Sequence, residues 1–310
     1  MWARVDFARG DDFPRRAQYF RDSSVDGDMT PFTITSRGSL HTFDKPVVMG
    51  ILNVTQDSFY DGGKYISEDA ILARAQQIVD EGGSIIDIGT TSTRPGAQVP
   101  DPTWERDQLA KVVRLVRGHF PDTILSADTI LAYAASAALD EGVDIINDIS
   151  GGTDPNMFPL VAERNAPYIL THNEIYHGDP VAAQAMFFSL RLQQLYLLGV
   201  KDVWLDPGFG FAKSTEQNLE LAGRLKEVME LFREPMLVGI SRKSMIYKPI
   251  NSTPDSDITL RKTLELQRKM ILDGAAIVRV HDVKECVELV NNMDSTHCAT
   301  NEDGYEKHHV

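Results

Sequence analysis

The sequence contains two cysteines, Cys286 and Cys298. Their spacing fits neither a disulfide framework nor a zinc motif, which suits a reducing compartment. No uninterrupted apolar run approaches the ~20 residues that a membrane-spanning helix needs. Positive charge is scarce: 31 Lys and Arg face 45 Asp and Glu, for a formal net charge of -14. That excess repels nucleic acid and anionic membranes, yet permits a local basic pocket for an anionic ligand. Low-complexity segments and interdomain linkers are missing as well. The first 28 residues hold five arginines but also six aspartates and no apolar stretch, which argues against a signal or transit peptide. These absences leave a cytoplasmic protein that acts on small molecules as the expectation.

What is present is the composition of a protein able to bury a substantial core, with 42% hydrophobic and 25% charged residues over 310 positions. From Lys45 onward, short β-branched runs alternate with longer amphipathic segments. The candidate strands are Val47 to Val54, Ser84 to Gly89, Thr123 to Asp128, Asp144 to Ile149, Pro167 to His172, Asp202 to Asp206, Met236 to Ser241 and Ala276 to His281. Segments such as "EDAILARAQQIVDEGG" and "TEQNLELAGRLKEVMELF" place apolar residues at helical steps. Gly82 and Gly142 suit helix ends. Eight strand-helix units favour an α/β fold of the (β/α)8 TIM-barrel type in one domain, since eight parallel strands can close without exposed edges. An open doubly wound sheet is the alternative, weakened because "GILNVTQDSF" after the first strand is no dinucleotide fingerprint. Residues 29–293 are expected to form the barrel, with Phe32 to Thr42 as a hairpin or lid at its amino-terminal end. The extension 1–28 and the tail 294–310 are expected to be mobile, and Met29 is a candidate second translation start.

Loops that follow the strands form the active face of such a barrel, so polar residues at strand ends carry weight. Each candidate strand delivers at least one: Asn53, the "TTSTRPG" loop with Arg94, Asp128, Asn147, His172, Asp206, Ser241 to Lys243, and Arg279 with His281. The loop "VTQDSFYDGG" would lie over the mouth, with Phe59 and Tyr60 available to cover a flat ligand and Gly62 and Gly63 giving the backbone room to bend. Carboxylates and amides at Asp128, Asn147 and Asp206 suit an edge-rich heterocycle; singly, Asp128 could instead cap a helix and Asn147 bond a loop. Arg279 and His281 share one strand face and suit a phosphate or pyrophosphate, against the plainer options of an interstrand ion pair and a core histidine. In "SRKS", Lys243 could bond a ring carbonyl or an anion, and helix amides with Ser244 could attract a carboxylate or phosphate. After Asp206, Pro207, Gly208 and Gly210 let the chain turn and leave Phe211 and Lys213 facing the pocket, before a helix capped by Ser214 or Thr215 with Glu216 or Gln217 in its first turn. His172, Glu174, His177 and Asp179 match no known metal-ligand pattern.

At these residues the chain resembles the dihydropteroate synthase family of the pterin-binding barrels. The resemblance runs from about Pro46 to Val290 and is carried by "MGILNVTQDSFYDGG", "IIDIGTTSTRPGA", "INDISGG", "LDPGFGFAKSTEQNLEL", "VGISRKSMI" and "IVRVHDVKE". It implies condensation of 6-hydroxymethyl-7,8-dihydropterin pyrophosphate with para-aminobenzoate. It further implies that Asp128, Asn147, Asp206 and Lys243 hold the pterin, and that Asn53, Arg279 and His281 hold the pyrophosphate with Mg²⁺, Asn53 being the metal ligand. Thr93, Arg94, Pro95, Phe211 and Ser244 would shape the aminobenzoate site, which sulfonamides target. The chemistry would fall to Asp128, Lys243, Arg279 and His281, in a homodimer. The sequence departs from the family pattern at Gln56, Thr90, Thr91, Ala127, Thr171 and Asn173; the last two would make one wall of the pterin pocket more polar. An idle pterin-binding paralogue and a corrinoid-linked methyltransferase are the competing functions, and retention of "STRPGA" and "SRKS" favours aminobenzoate chemistry over methyl transfer.

Overall fold

In a computed structural model, residues 31–54, 67–91 and 101–299 are described, with side chains through Met293. The expectations for 1–28, for Gln56, Phe59, Tyr60, Gly62 and Gly63, for Thr93, Arg94 and Pro95, and for 300–310 lie outside the described residues.

The first described elements, β1 (Phe32–Ser36) and β2 (Ser39–Phe43), pair as an antiparallel hairpin with Phe32 opposite Phe43. The β-branched runs that follow have no solvent face to serve, so they form interior parallel strands. These are β3 (Val47–Asn53), β4 (Ile85–Gly89), β5 (Ile124–Asp128), β6 (Ile145–Asp148), β7 (Tyr168–Thr171), β8 (Val203–Asp206), β9 (Leu237–Val238) and β10 (Ile277–Val280). They lie in the order β8-β7-β6-β5-β4-β3-β10-β9. Leu205 bridges Met236 in parallel, and its N–H donates to the Pro235 carbonyl at 2.9 Å, so the two outer strands meet and the sheet curls into a barrel. β9 is shorter than the expected Met236 to Ser241. Its chain leaves the ladder at Gly239 and turns, with the Lys243 N–H donating to the Ile240 carbonyl at 3.1 Å.

The helices are α1 (Glu68–Asp80), α2 (Pro102–His119), α3 (Ala132–Asp140), α4 (Met157–Arg164), α5 (Pro180–Leu197), α6 (Thr215–Gly223), α7 (Leu225–Leu231), α8 (Ser244–Tyr247), α9 (Asp257–Asp273) and α10 (Val283–Ala299). Their starts are chemically marked. Ser67, Asp101, Asp179, Ser214 and Ser256 accept first-turn N–H groups. At α6 the choice resolves to a capping box of Ser214 with Gln217. Gly82 and Gly142 follow α1 and α3 at φ 89° and 93°. α10 continues past the expected boundary at Met293 to Ala299, because a helix already anchored through Val283, Cys286 and Val290 extends without needing further apolar steps.

Alternation along the strands divides the core in two. One face of each strand meets the helices, through residues such as Val48, Ile86, Leu125, Ile146, Leu170 and Leu205. The other face fills the lower barrel with Val47, Met49, Ile85, Ile124, Ile145, Ile169, Trp204, Leu237 and Ile277. The hairpin closes that end: Ile34 joins the interior cluster, and Phe32 and Phe43 stand edge-on to Trp204 at ring distances of 5.6 and 6.5 Å. Two acids just before β6 and β8 pin it. Asp202 accepts from the Thr35 N–H at 2.8 Å. Asp144 accepts from Ser36 Oγ, from Arg37 Nε at 2.7 Å, from Arg117 at 2.5 Å and from the Leu125 N–H at 2.8 Å. Among the described residues, no helix is long and apolar enough to cross a membrane.

Asp144→Ala should lower stability by about 3 kcal/mol, because it strands the Arg117 guanidinium, whose side chain is only 13% exposed, and releases the hairpin. Equilibrium urea unfolding checks this, and a loss under about 1 kcal/mol would contradict the pinning role.

Candidate active site

Continuing up the inward faces, alternation replaces isoleucines by polar groups: Asp87 on β4, Ser126 and Asp128 on β5, Asn147 on β6, Thr171 on β7, Asp206 on β8 and Arg279 on β10. Interior carboxylates are costly unless paired. Here Arg279 reaches past β3 and pairs with two of them, Nε to Asp87 Oδ2 at 2.6 Å and a terminal nitrogen to Asp128 Oδ2 at 2.6 Å. The plainer option for Arg279, an interstrand ion pair, is therefore realised, but with site acids rather than Asp282. Burial alone would lower the pKa of this guanidinium, and Asp87 and Asp128 outweigh it and keep Arg279 charged. Burial raises the pKa of Asp128, with Arg279 opposing.

Asn147 donates Nδ2 to Asp87 Oδ2 at 3.2 Å, while its Oδ1 is buried with no hydrogen-bond partner. Neither Asp128 nor Asn147 takes the plainer role open to it. Asp128 does not cap α3, whose Ala132 N–H donates to Asp154 at 2.8 Å. Gly89 ends β4 between neighbours: a Cβ there would lie 3.3 Å from Asn53 Oδ1 and 3.5 Å from Asp128 Cβ. Asn53, the exposed end of β3, thus stands beside Asp128 at the mouth.

The loop after β8 supplies the opposite wall. Asp206 accepts from the Gly208 N–H at 2.8 Å. Gly208 has φ 69°, and a Cβ there would fall 2.0 Å from the His172 carbonyl oxygen, so no side chain is tolerated. Lys243 donates to the Phe209 carbonyl, and its ammonium lies 4.4 Å from the centre of the Phe211 ring. A Cβ on Gly239 would come within 3.8 Å of Arg279 Cβ and 4.0 Å of Lys243 Nζ. The two cations therefore share a wall. Burial lowers Lys243 to about 8, against the pull of Asp206, and burial pushes Asp206 up, against Lys243.

His281 closes the cluster. Ser241 Oγ accepts from the His281 backbone N–H at 3.3 Å and lies 3.1 Å from Nδ1. The hydroxyl serves either ring tautomer, since it can donate to a bare Nδ1 or accept from Nδ1–H. Burial, helped by Arg279, lowers His281 to about 4. It meets a ligand as a neutral ring near neutrality, not as a second cation beside Arg279.

Two other expectations change. His172 points away from the barrel interior into Tyr176, Phe187 and Phe188, with ring distances of 6.1, 4.8 and 6.3 Å. Thr171 takes the inward place, buried with Oγ1 unpartnered. Lys213 does not present its ammonium to the pocket; it ties the carbonyls of His172, Gly208 and Phe211 at 3.0, 3.0 and 3.3 Å. Ala127 faces the helices, and Asn173 donates to the Ile149 carbonyl at 2.9 Å. Arg242 pairs with Asp282 and Asp255 on the rim. Sequence reasoning missed Asp87. Its signal was an acid amid isoleucines in "SIIDIG", where a buried charge demands a partner.

Among the described residues, no group of three or more His, Cys, Asp or Glu could hold a metal. Asn53 offers one neutral oxygen, a donor that suits a hydrated Mg²⁺ carried on phosphate, since this ion keeps several waters and takes few protein ligands.

Residues 49–281 match the family described as "Pterin binding enzyme". The dihydropteroate synthase of Streptococcus pyogenes serotype M3 is 41% identical over 249 residues, which cover 78% of this chain and 92% of that relative. Two solved structures superpose well. The Xanthomonas albilineans dihydropteroate synthase with 4-aminobenzoic acid has a TM-score of 0.80, at 31% identity over 86% of this chain and 99% of that one. The Yersinia pestis dihydropteroate synthase in a sulfonamide drug complex has a TM-score of 0.78, at 34% identity over 86% and 100%. With the family match over residues 49–281 and a relative 41% identical over 92% of its own length, the chain belongs to the pterin-binding enzymes, in the dihydropteroate synthase family.

Proposed function

We propose that the chain joins 6-hydroxymethyl-7,8-dihydropterin pyrophosphate to para-aminobenzoate, giving 7,8-dihydropteroate and pyrophosphate for folate synthesis. The observation that carries this reading is the junction at the barrel mouth, where acids suited to ring N–H groups meet cations suited to a leaving anion. Asp206 and Asn147 would accept from the ring, and Lys243 would donate to its carbonyl. Arg279 retains N–H groups beyond those bound to Asp87 and Asp128, and with His281 it would hold the pyrophosphate.

In the reaction the bond from the methylene carbon to the pyrophosphate oxygen breaks, and its electron pair leaves with the oxygen. The amine lone pair forms the new C–N bond, and the amine proton passes to solvent. Positive charge spreads over the methylene and ring as the anion departs, where Asp128 would stabilise it. An aromatic amine is neutral near pH 7, so no strong general base is needed. Asn53 would hold Mg²⁺ on the phosphate oxygens, and the ion would offset charge on the leaving group. Phe211 and Ser244 would line the aminobenzoate subsite with Thr93, Arg94 and Pro95, and the same subsite would admit sulfonamides. The reading includes a single barrel domain over 29–293 in a cytoplasmic homodimer. Low cysteine content supports the compartment, and the exposed Ile258 and Leu272 on α9 support pairing through late helices.

Incubating the chain with both substrates and Mg²⁺ should yield dihydropteroate and pyrophosphate in equal amounts, measured by chromatography and a coupled phosphate assay. Ring binding without pyrophosphate release would point to an idle paralogue. Asp206→Ala and Lys243→Ala should each weaken binding of 6-hydroxymethyl-7,8-dihydropterin about tenfold or more, whereas Ser244→Ala should chiefly raise KM for aminobenzoate; calorimetry and steady-state kinetics separate the two. Because the cationic form of Lys243 persists only below about 8, ring affinity should decline as pH rises through that value, apart from a separate loss at lower pH as Asp128, raised to about 7, and Asp206 take up protons. The decline should vanish in Lys243→Met, and an unchanged profile in that variant would exclude Lys243 as its source.

A further inference from the structure

Asp87 is fully buried in the middle of β4 and receives two of the groups assigned to substrate. Its Oδ2 accepts from Arg279 Nε at 2.6 Å and from Asn147 Nδ2 at 3.2 Å. An ionised carboxylate can only accept hydrogen bonds, so it admits one orientation of the Asn147 amide. The reversed amide would set Oδ1 against a carboxylate oxygen and lose the bond. In the permitted orientation Oδ1 is left over, buried and without a partner. A buried unpaired acceptor is unfavourable until something donates to it. Neighbouring geometry reinforces the constraint. Asn147 stands in register with Asp128 across β5 and β6, and Asp128 is held by the other arm of the same guanidinium. The amide and the acid are therefore set side by side by one hub.

We propose that Asp87 is a positioning residue that fixes the polarity of the pterin pocket: by accepting one Asn147 amide hydrogen and the Arg279 Nε–H, it leaves Asn147 Oδ1 as an acceptor reserved for a ring N–H. The consequence is a specificity rule. The pocket floor at Asn147 selects a heterocycle edge that donates and disfavours one that presents a lone pair. This rests on the reading of the site given above, with Asn147 touching the ring. Asp87 itself need not touch substrate.

The test uses 6-hydroxymethyl-7,8-dihydropterin, which has the ring and lacks the pyrophosphate, with binding to the full chain measured by calorimetry. Asp87→Asn should raise its Kd about tenfold, since an amide at 87 can donate as well as accept and releases the Asn147 orientation. Asn147→Ala should weaken binding too. The double variant should bind more tightly than the product of the two single effects predicts, because without the Asn147 amide Asp87 has only its pairing with Arg279 left to lose. Should Asp87→Asn bind the ring normally while Asn147→Ala binds it weakly, or should the two effects multiply, the inference falls and the site reading stands. Should Asn147→Ala bind normally, both fall. A second measurement serves if Asp87→Asn does not fold. In ¹⁵N-labelled wild type, the Asn147 side-chain NH₂ signal, identified by its loss in Asn147→Ala, should be protected from solvent exchange both before and after ring addition. A signal that exchanges freely in the absence of the ring would show the amide unheld by Asp87 and overturn the proposal.

Discussion

The guanidinium of Arg279, clamped between Asp87 and Asp128 inside the barrel, is the interaction on which the upper half of the structure depends. Without it, β4 and β5 would carry two uncompensated acids into the barrel interior. With it, the acids tolerate burial and become fixed points from which Asn147, Asn53 and the end of β4 take their places. Across the barrel Asp206 and Lys243 attract each other without such a clamp, and burial lowers Lys243 while Arg279 stays charged. Three carboxylates thus share the mouth with two cations, an imbalance that suits a ligand rich in N–H donors and a reaction that builds positive charge.

The two ends of the barrel use acids for opposite purposes. Asp144 and Asp202, at the strand starts, have their oxygens taken by the hairpin and by Arg37 and Arg117, and so serve stability. Asp87 Oδ1, Asn147 Oδ1, Ser126 Oγ and Thr171 Oγ1, farther up the interior, are buried and unsatisfied. A folded protein ordinarily avoids such atoms. These four lie on the inward faces of four consecutive strands, where a ligand can reach them, whereas others such as those of Gln184 and Gln267 lie on helices.

Much of this was legible from the chain. Eight β-branched runs alternating with capped amphipathic helices left few choices of fold, and inward alternation carried Asp128, Asn147, Asp206 and Arg279 to one rim. What escaped was relational. His172 ends a strand as the others do, but strand parity turns its ring outward, and only the aromatic pocket of Phe187 and Phe188 makes that visible. The neutrality of His281 depends on burial beside Arg279, which no sequence pattern announces. Lys213 lost its expected place because three carbonyls converge where its ammonium can reach. Asp87 was overlooked since its partner is 192 positions distant. The shortening of β9 likewise follows from a turn that periodicity does not announce.

The contact between Gly208 and the carbonyl of His172 bears on how this pocket can change over generations. Any larger residue at 208 would have to wedge β7 from β8, and Asp206, bonded to the same loop, would be displaced with them. Mutational drift is therefore closed at this joint and open along the neighbouring wall at Thr171 and Asn173. New ligand preferences would have to be selected on that wall, one side chain at a time, while the joint stays bare.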